Sequence, residues 1–290
     1  KDEVIALYEE TRRKCFAAAE DADKRPRIET LEHVMRPLAP YTPDKVMAEA
    51  TRTPSAEARI KAFGSEDKLP EKQAPRHLAI QINQALHDLF CKYPEPIPEI
   101  QYLAYLHNAI DQLRGEASSL QFFSNDQFRN PMVVRIAGLG YQRGFGGHFH
   151  NDNSITALRD IPGLVVGCAS RGDDAAMMLR TLTALAKVDG RVSVFLEPIA
   201  LYMTKDLHEP GDGLWLTEYP APDRALVLGE ERVYNAEATD CVIFSYGNGM
   251  PMSLRAAREI ERKHGWKVRV VDLRWLVPLN EPAIAKHARE

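Results

Sequence analysis

The chain has 290 residues, of which 44% are hydrophobic and 27% charged, and a net charge of -4. That length buries a sizeable core in two domains, or one domain with an extension; the balance is that of an ordinary globular protein, with no electrostatic footprint for nucleic acid or anionic lipid. No apolar run approaches membrane-spanning length, no signal peptide opens the chain, and Cys15, Cys91, Cys168 and Cys241 lie far apart without metal-ligand spacing, so reduced thiols in a cytosolic or matrix compartment are expected.

The chain opens at Lys1 without Met and stops at Glu290 inside what reads as a new helix, so a piece of something larger is expected. Residues 1 to about 75 read as short helices punctuated by prolines. Val4, Leu7, Tyr8 and Phe16 recur at near-helical spacing until Pro26. Thr42-Pro43 and Thr53-Pro54 each read as an N-cap followed by proline, and Gly64 as a C-terminal stop. Such charge-rich helices bury little alone, so an extension lying over a partner or a neighbouring domain is expected. A stronger helix runs from about Pro75 to Cys91, with Leu78, Ile82 and Leu86 on one face.

From there the pattern becomes β, α, β. The apolar runs Met132–Ile136, Leu164–Cys168 and Val192–Leu196 suit strands buried on both faces of a parallel sheet. A helix from near Asp173 covers them, giving an open α/β layer over residues 76–205. Residues 206–238 lack periodicity and read as an ordered linker. A second βαβ unit occupies 239–290, with strands at Cys241–Gly247 and Val268–Leu273 around a helix from Ser253 to Lys263.

The most informative stretch runs from Gly138-Leu139-Gly140 through Gly146-Gly147-His148-Phe149-His150 to Asn153. It follows a strand, where parallel folds bind ligands, and its glycines admit a ligand close to the backbone. His148 and His150 are credible acid–base groups, with a mobile surface loop as an equal competitor; as a metal site they lack a third ligand at convincing spacing. Tyr102 and Tyr105 could stack on a planar heterocycle, although core packing is favoured two to one on local features alone. Gly211-Asp212-Gly213 reads as a turn rather than a magnesium-diphosphate motif. Walker, Rossmann and Gly-x-Ser-x-Gly patterns are all missing.

Taken in order, Glu99-Ile100-Gln101-Tyr102, Asp111-Gln112-Leu113, the His150 loop with Ile161-Pro162-Gly163-Leu164-Val165-Val166, Phe195-Leu196-Glu197-Pro198 and Val271-Asp272-Leu273-Arg274-Trp275-Leu276-Val277-Pro278-Leu279 resemble the β subunit of thiamine-diphosphate-dependent 2-oxoacid dehydrogenases. The first 75 residues resemble, more loosely, the helical tail of that family's α subunit, which implies an α–β fused parent. The resemblance implies an α/β fold: a transketolase-like pyrimidine-binding domain, then the start of a transketolase C-terminal domain. It implies decarboxylation of a branched-chain 2-oxoacid or pyruvate and acyl transfer to a lipoyl group. A transketolase-like transferase and a non-catalytic assembly module are the rival expectations.

By the same resemblance, Tyr105, with Tyr102 and His148 nearby, faces the cofactor's aminopyrimidine, and His150 faces the substrate. Asn130, Met132, Val133, Ala186 and Asp189 match a potassium site, with Arg191 where asparagine is usual. Magnesium and the diphosphate belong to an α-type half, and a lipoyl-bearing acyltransferase and a dimer of fused chains, or α2β2, are the expected partners. The family's activating glutamate falls upstream of Glu99, where this sequence passes almost directly from Cys91 to Pro96. Closely matching flanks favour a segment left out between Glu95 and Pro96 over an inactive relative.

Overall fold

The computed structural model describes residues 2–93, 99–100, 103–140 and 151–290. Residues 1–36 and 37–290 form separate compact units. In the first, α1 (Asp2–Lys24) buries no residue, and Val4, Leu7, Tyr8 and Phe16 stay exposed. Exposed pairs such as Glu10–Lys14 and Asp21–Arg25 line it, each worth about 0.3–0.5 kcal/mol. The helix ends before Pro26, and α2 (Leu31–Leu38) follows.

The expected helical extension to residue 75 does not match this division. Beyond Arg36 the chain already belongs to the second unit. Here α3 (Pro43–Thr51) places Val46 and Ala50 in the same core as α5 (Leu78–Lys92). Between them α4 (Ala56–Phe63) begins at Ser55, whose hydroxyl accepts the Ala58 N–H at 3.1 Å, rather than at Thr53. Gly64 ends α4 at φ 95° with its N–H on the Ile60 carbonyl, as its position suggested. Arg59 anchors α4 inward. Its guanidinium reaches Asp88 of α5 and Glu71, each at 2.7 Å.

The main sheet has the order β1-β2-β4-β3-β8. Its parallel part is β1 (Glu99–Ile100), β2 (Met132–Gly138), β4 (Val192–Pro198) and β3 (Val165–Cys168). Between β1 and β2 lies a broken helical stretch: α6 (Leu103–Leu106), α7 (Ile110–Gln112), a π-turn at Leu113–Ser118 and α8 (Leu120–Phe123). Helix α9 (Thr156–Arg159) precedes β3, and α10 (Gly172–Asp189) joins β3 to β4. Side chains alternate across a strand, and β4 shows it: Val192, Val194 and Leu196 enter the cluster beneath α6, whereas Phe195 enters the one formed by α5 and α10. The expectation of strands buried on both faces holds.

Residues 206–238 were read as a linker. They are instead a strap over α10, and their end is already a strand. Arg180 of α10 donates to the carbonyls of Ala221 and Arg224 at 2.7 Å and of Pro220 at 3.2 Å, and it packs over the Tyr219 ring. Strand β5 (Arg232–Tyr234) then pairs antiparallel with β7 (Val268–Asp272), which pairs parallel with β6 (Cys241–Ser245), and α11 (Gly249–His264) covers this second sheet. Strand β8 (Trp275–Val277) leaves that sheet and pairs antiparallel with β3, stitching the two sheets together. Helix α12 (Glu281–Arg289) closes the chain.

Charged groups line this seam. Arg274 reaches Asp174 of α10 at 2.7 Å, and Arg232 reaches Asp173 at 2.6 Å. Asp272 is fully buried, and burial, followed by the nearby Asp174, pushes its carboxyl up to about 7.

Two predictions follow from these contacts. Arg180→Ala strands three carbonyls, so urea unfolding should show a loss of about 2–4 kcal/mol; an unchanged midpoint would contradict the strap. The Asp272 value is raised by folding, so the native protein holds a proton that the unfolded chain releases above about pH 4. Stability is therefore full below that pH and falls until about pH 7, where it levels off. Asp272→Asn should remove the fall, raising stability at pH 8 by up to roughly 4 kcal/mol with little change near pH 4. Coincident unfolding curves at pH 8 would refute it.

Candidate functional site

Parallel pairing puts the carboxyl ends of β1 and β2 side by side, and the site is built on that edge. After β1, Leu103 and Leu106 each bury to 2% exposure and fix the turn of α6. Tyr105 is left 40% exposed, and His107 and Asn108 follow it in a 3-10 turn. After β2, Leu139 adopts φ 63°, a conformation that a branched side chain rarely takes, at a cost of about 1–2 kcal/mol. The next residue shows what holds it there. The Gly140 N–H donates to Asn153 Oδ1 at 2.6 Å, and the Gly140 carbonyl accepts from Asn248 Nδ2 at 2.7 Å. A Cβ at Gly140 would stand 3.0 Å from the Asn151 carbonyl, so glycine permits this approach.

An open cavity of about 670 Å³ lies at these two strand ends. Ala104, Tyr105, His107 and Asn108 form one wall, and Asn151, Asp152 and Asn153 form the other. His107 Nε2 lies 3.5 Å from Asp152 Oδ2 across it. Tyr105 is one of the residues that line this cavity. Tyr102, His148 and His150 lie outside the described residues. His150 is the residue that immediately precedes Asn151 in sequence.

The five residues matched to a potassium site are placed differently. Both Asp189 carboxylate oxygens accept from Thr42, one from its N–H at 2.9 Å and one from its hydroxyl at 2.5 Å. Thr42 therefore fastens α3 to the end of α10 instead of capping α3 with its side chain. The Ala186 carbonyl accepts the Gly190 N–H, and the Asn130 carboxamide donates to Glu116. Met132 and Val133 belong to the β2 ladder. Arg191 sits among them at 5% exposure, donating to the Gly163 carbonyl at 2.9 and 3.2 Å and to that of Pro40 at 3.0 Å. Burial lowers its value to about 10 against the opposing pull of Asp189. The donor set does not fit a hard cation: its one carboxylate is engaged, and a fixed positive charge already stands beside it. Among the described residues, no group of three or more His, Cys, Asp or Glu side chains suits a metal ion.

Two other motifs have structural explanations. Glu197 of Phe-Leu-Glu-Pro holds Arg135 at 2.6 Å and accepts from the Tyr202 hydroxyl at 2.5 Å. The Asp212 carboxylate accepts the N–H groups of Leu207, His208, Glu209 and Leu214. Gly211-Asp212-Gly213 is therefore a turn, as expected.

The sequence reading missed His107 and Asn108 and gave Asp152 and Asn153 no role. A signal existed for His107, which comes two residues after Tyr105 just beyond the buried Leu103 and Leu106. None existed for its meeting with Asp152, 45 residues away in sequence by the difference of the two numbers.

The fold is α/β, and residues 231–290 match "Transketolase, C-terminal domain". The chain is similar to β subunits of 2-oxoacid dehydrogenases. It is 29% identical over 228 residues to the 2-oxoisovalerate dehydrogenase subunit beta of Bacillus subtilis, covering 78% of this chain and 62% of that protein. It is also 29% identical over 190 residues to the pyruvate dehydrogenase E1 component subunit beta of Staphylococcus epidermidis, covering 64% of this chain and 51% of the relative. The chain thus spans between half and two thirds of the length of these relatives. Among solved structures, a split-gene transketolase in an inactive beta4 tetramer aligns with a TM-score of 0.48 at 17% identity, over 72% of this chain and 57% of that one.

The engaged donors around Asp189 make a prediction. Exchanging potassium for sodium should move the melting temperature by less than about 2 °C, whereas Arg191→Leu should cost about 3 kcal/mol by leaving buried carbonyls unpaired. A potassium-specific rise of about 5 °C or more would restore the cation site.

Proposed function

We propose that this chain supplies the aminopyrimidine-facing half of the decarboxylating component of a 2-oxoacid dehydrogenase. The observation that carries the reading is the cavity shared by Tyr105 and residues 151–153 at the carboxyl edge of a parallel sheet, in a chain whose relatives are dehydrogenase β subunits. Thiamine diphosphate, when bound, is the electron sink for loss of carbon dioxide. The half-exposed Tyr105 ring suits stacking on its aminopyrimidine. Tyr102 and His148 remain candidates for the same wall.

In this reading Tyr105 orients the ring, and His150 faces the substrate and transfers protons around the acyl group. Diphosphate and magnesium fall to an α-type half, fused or separate, and the acyl group passes to a lipoyl-bearing acyltransferase. A dimer of fused chains, or an α2β2 assembly, in a reducing compartment is the working form; all four cysteines are unpaired. The substrate is a 2-oxoacid, as the names of both relatives indicate for those proteins.

The test is release of labelled carbon dioxide from 2-oxoacids with a dye as electron acceptor, in the complete natural protein. Release without a sugar acceptor separates a dehydrogenase from a transketolase-like transferase. His150→Ala should lower lipoyl acylation by about 100-fold or more, with cofactor affinity largely kept. Tyr105→Ala should instead weaken thiamine diphosphate binding by roughly 3- to 10-fold. Unchanged acylation in the first variant removes His150 from the mechanism.

A further inference from the structure

We infer that Asn248 is a positioning residue for this site: from the turn before α11 it fixes Gly140 and, through Gly140 and Asn153, the cavity wall at 151–153 and the His150 that precedes it. The inference rests on the dehydrogenase reading above for the part that His150 plays.

Three observations carry it. First, the Asn248 side chain does not serve its own helix. Asn248 is the N-cap residue of α11, where an asparagine oxygen ordinarily accepts an N–H of the first turn, yet it makes no such bond. Its Oδ1 is buried without a hydrogen-bond partner among the described residues. The carboxamide instead donates from Nδ2 to the Gly140 carbonyl at 2.7 Å, 108 positions away in sequence.

Second, the turn that carries Asn248 is seated on the main sheet. A Cβ at Gly247 would stand 3.0 Å from the Leu139 side chain, 3.1 Å from Cys168 Sγ and 3.4 Å from Pro198. Those residues lie at the carboxyl ends of β2, β3 and β4. Gly247 is buried at φ 51°, so both the space and the backbone call for glycine. The Gly249 N–H on the Tyr246 carbonyl at 3.0 Å and the Met250 N–H on that of Gly247 at 3.1 Å hold the turn in shape. The Asn248 donor is therefore aimed from a fixed seat.

Third, Gly140 passes the constraint on. It is buried, its N–H donates to Asn153 Oδ1 at 2.6 Å, and the Asn151 carbonyl closes the space beside its Cα. Without the Asn248 donor a buried carbonyl is left unpaired, which costs more than the bond itself contributes. Rotation of Gly140 toward another donor would disturb its contact with Asn153, and the wall would shift with it. A misplacement of about 1 Å near reacting groups can lower turnover on the order of 100-fold.

The experiment uses the complete natural protein with thiamine diphosphate and magnesium, and pyruvate or a branched-chain 2-oxoacid, whichever the parent decarboxylates. Asn248→Asp is the sharper variant. Aspartate matches asparagine in shape and caps a helix as well, but it sets an oxygen against the Gly140 carbonyl. Its melting temperature should stay within about 2 °C of the parent's, while kcat in dye reduction falls about tenfold or more. Cofactor affinity by fluorescence titration should change less than about threefold, which is under about 0.7 kcal/mol. Hydrogen–deuterium exchange should quicken in peptides from 138–155 and stay unchanged in α10 and β4. Asn248→Ala should act in the same direction. Unchanged kcat and exchange in both variants overturn the inference and leave the dehydrogenase reading standing. A fall in kcat that merely follows a loss of folded protein in both variants makes the role structural and overturns it too. A parent that binds the cofactor and decarboxylates neither acid overturns the dehydrogenase reading, and the exchange arm alone then upholds or refutes the hold on the wall.

Discussion

Gly140 is gripped through both of its backbone polar groups, by Asn153 on its N–H and by Asn248 on its carbonyl. The grip matters because three parts of the molecule meet there. The exit of β2, the cavity wall at 151–153 and the start of α11 converge on this one residue. If Gly140 carried a side chain, the Asn151 carbonyl would be pushed away, and the wall that faces Tyr105 and His107 would move with it. The strained Leu139 just before it is tolerated because its surroundings leave it no alternative.

The second constraint lies along the seam between the two sheets. Strand β8 abandons the sheet of its immediate predecessor β7 and pairs with β3, so neither sheet is a free-standing layer. The seam is held by Arg274 and Arg232 on Asp174 and Asp173, with the fully buried Asp272 beside them. Charges in such a place stabilise mainly when each has its partner, and the loss of one partner costs more than the pair contributes. Asn248 therefore reaches Gly140 from a domain whose position is set by these pairs and by Trp275, which is buried in the core of the first.

Much of the main sheet was legible because its signals are local. The run Leu164–Cys168 carries no charged or strongly polar residue, and Val192–Leu196 is interrupted only by Ser193, a pattern that suits a strand covered on both faces. The helix from about Asp173 and the stops at Pro26 and Gly64 follow from backbone geometry and the spacing of leucines. The boundary at residue 75 and the linker to residue 238 were misread for a common reason. Val46, Ala50, Arg180 and Tyr219 meet partners far away in sequence, and short helices and irregular straps carry no periodicity that announces such partners. The donors around Asp189 show the same limit: they were matched to a potassium site by resemblance alone, and the contacts of Asp189 with Thr42 and the nearby Arg191 come from distant segments.

What the sequence determined by itself is therefore the class: strand and helix order, a glycine-rich stretch after β2, and aromatic rings after β1, all of which depend on neighbours within a few residues. Tertiary structure alone decided that Tyr105 and His107 share a cavity with Asp152, that Asn248 reaches Gly140, and that β8 belongs to the first sheet. These are encounters between distant segments brought about by parallel pairing, which aligns the carboxyl ends of β1 and β2 on one edge. A linear pattern records which side chains are available, and the register of the sheet settles which of them meet.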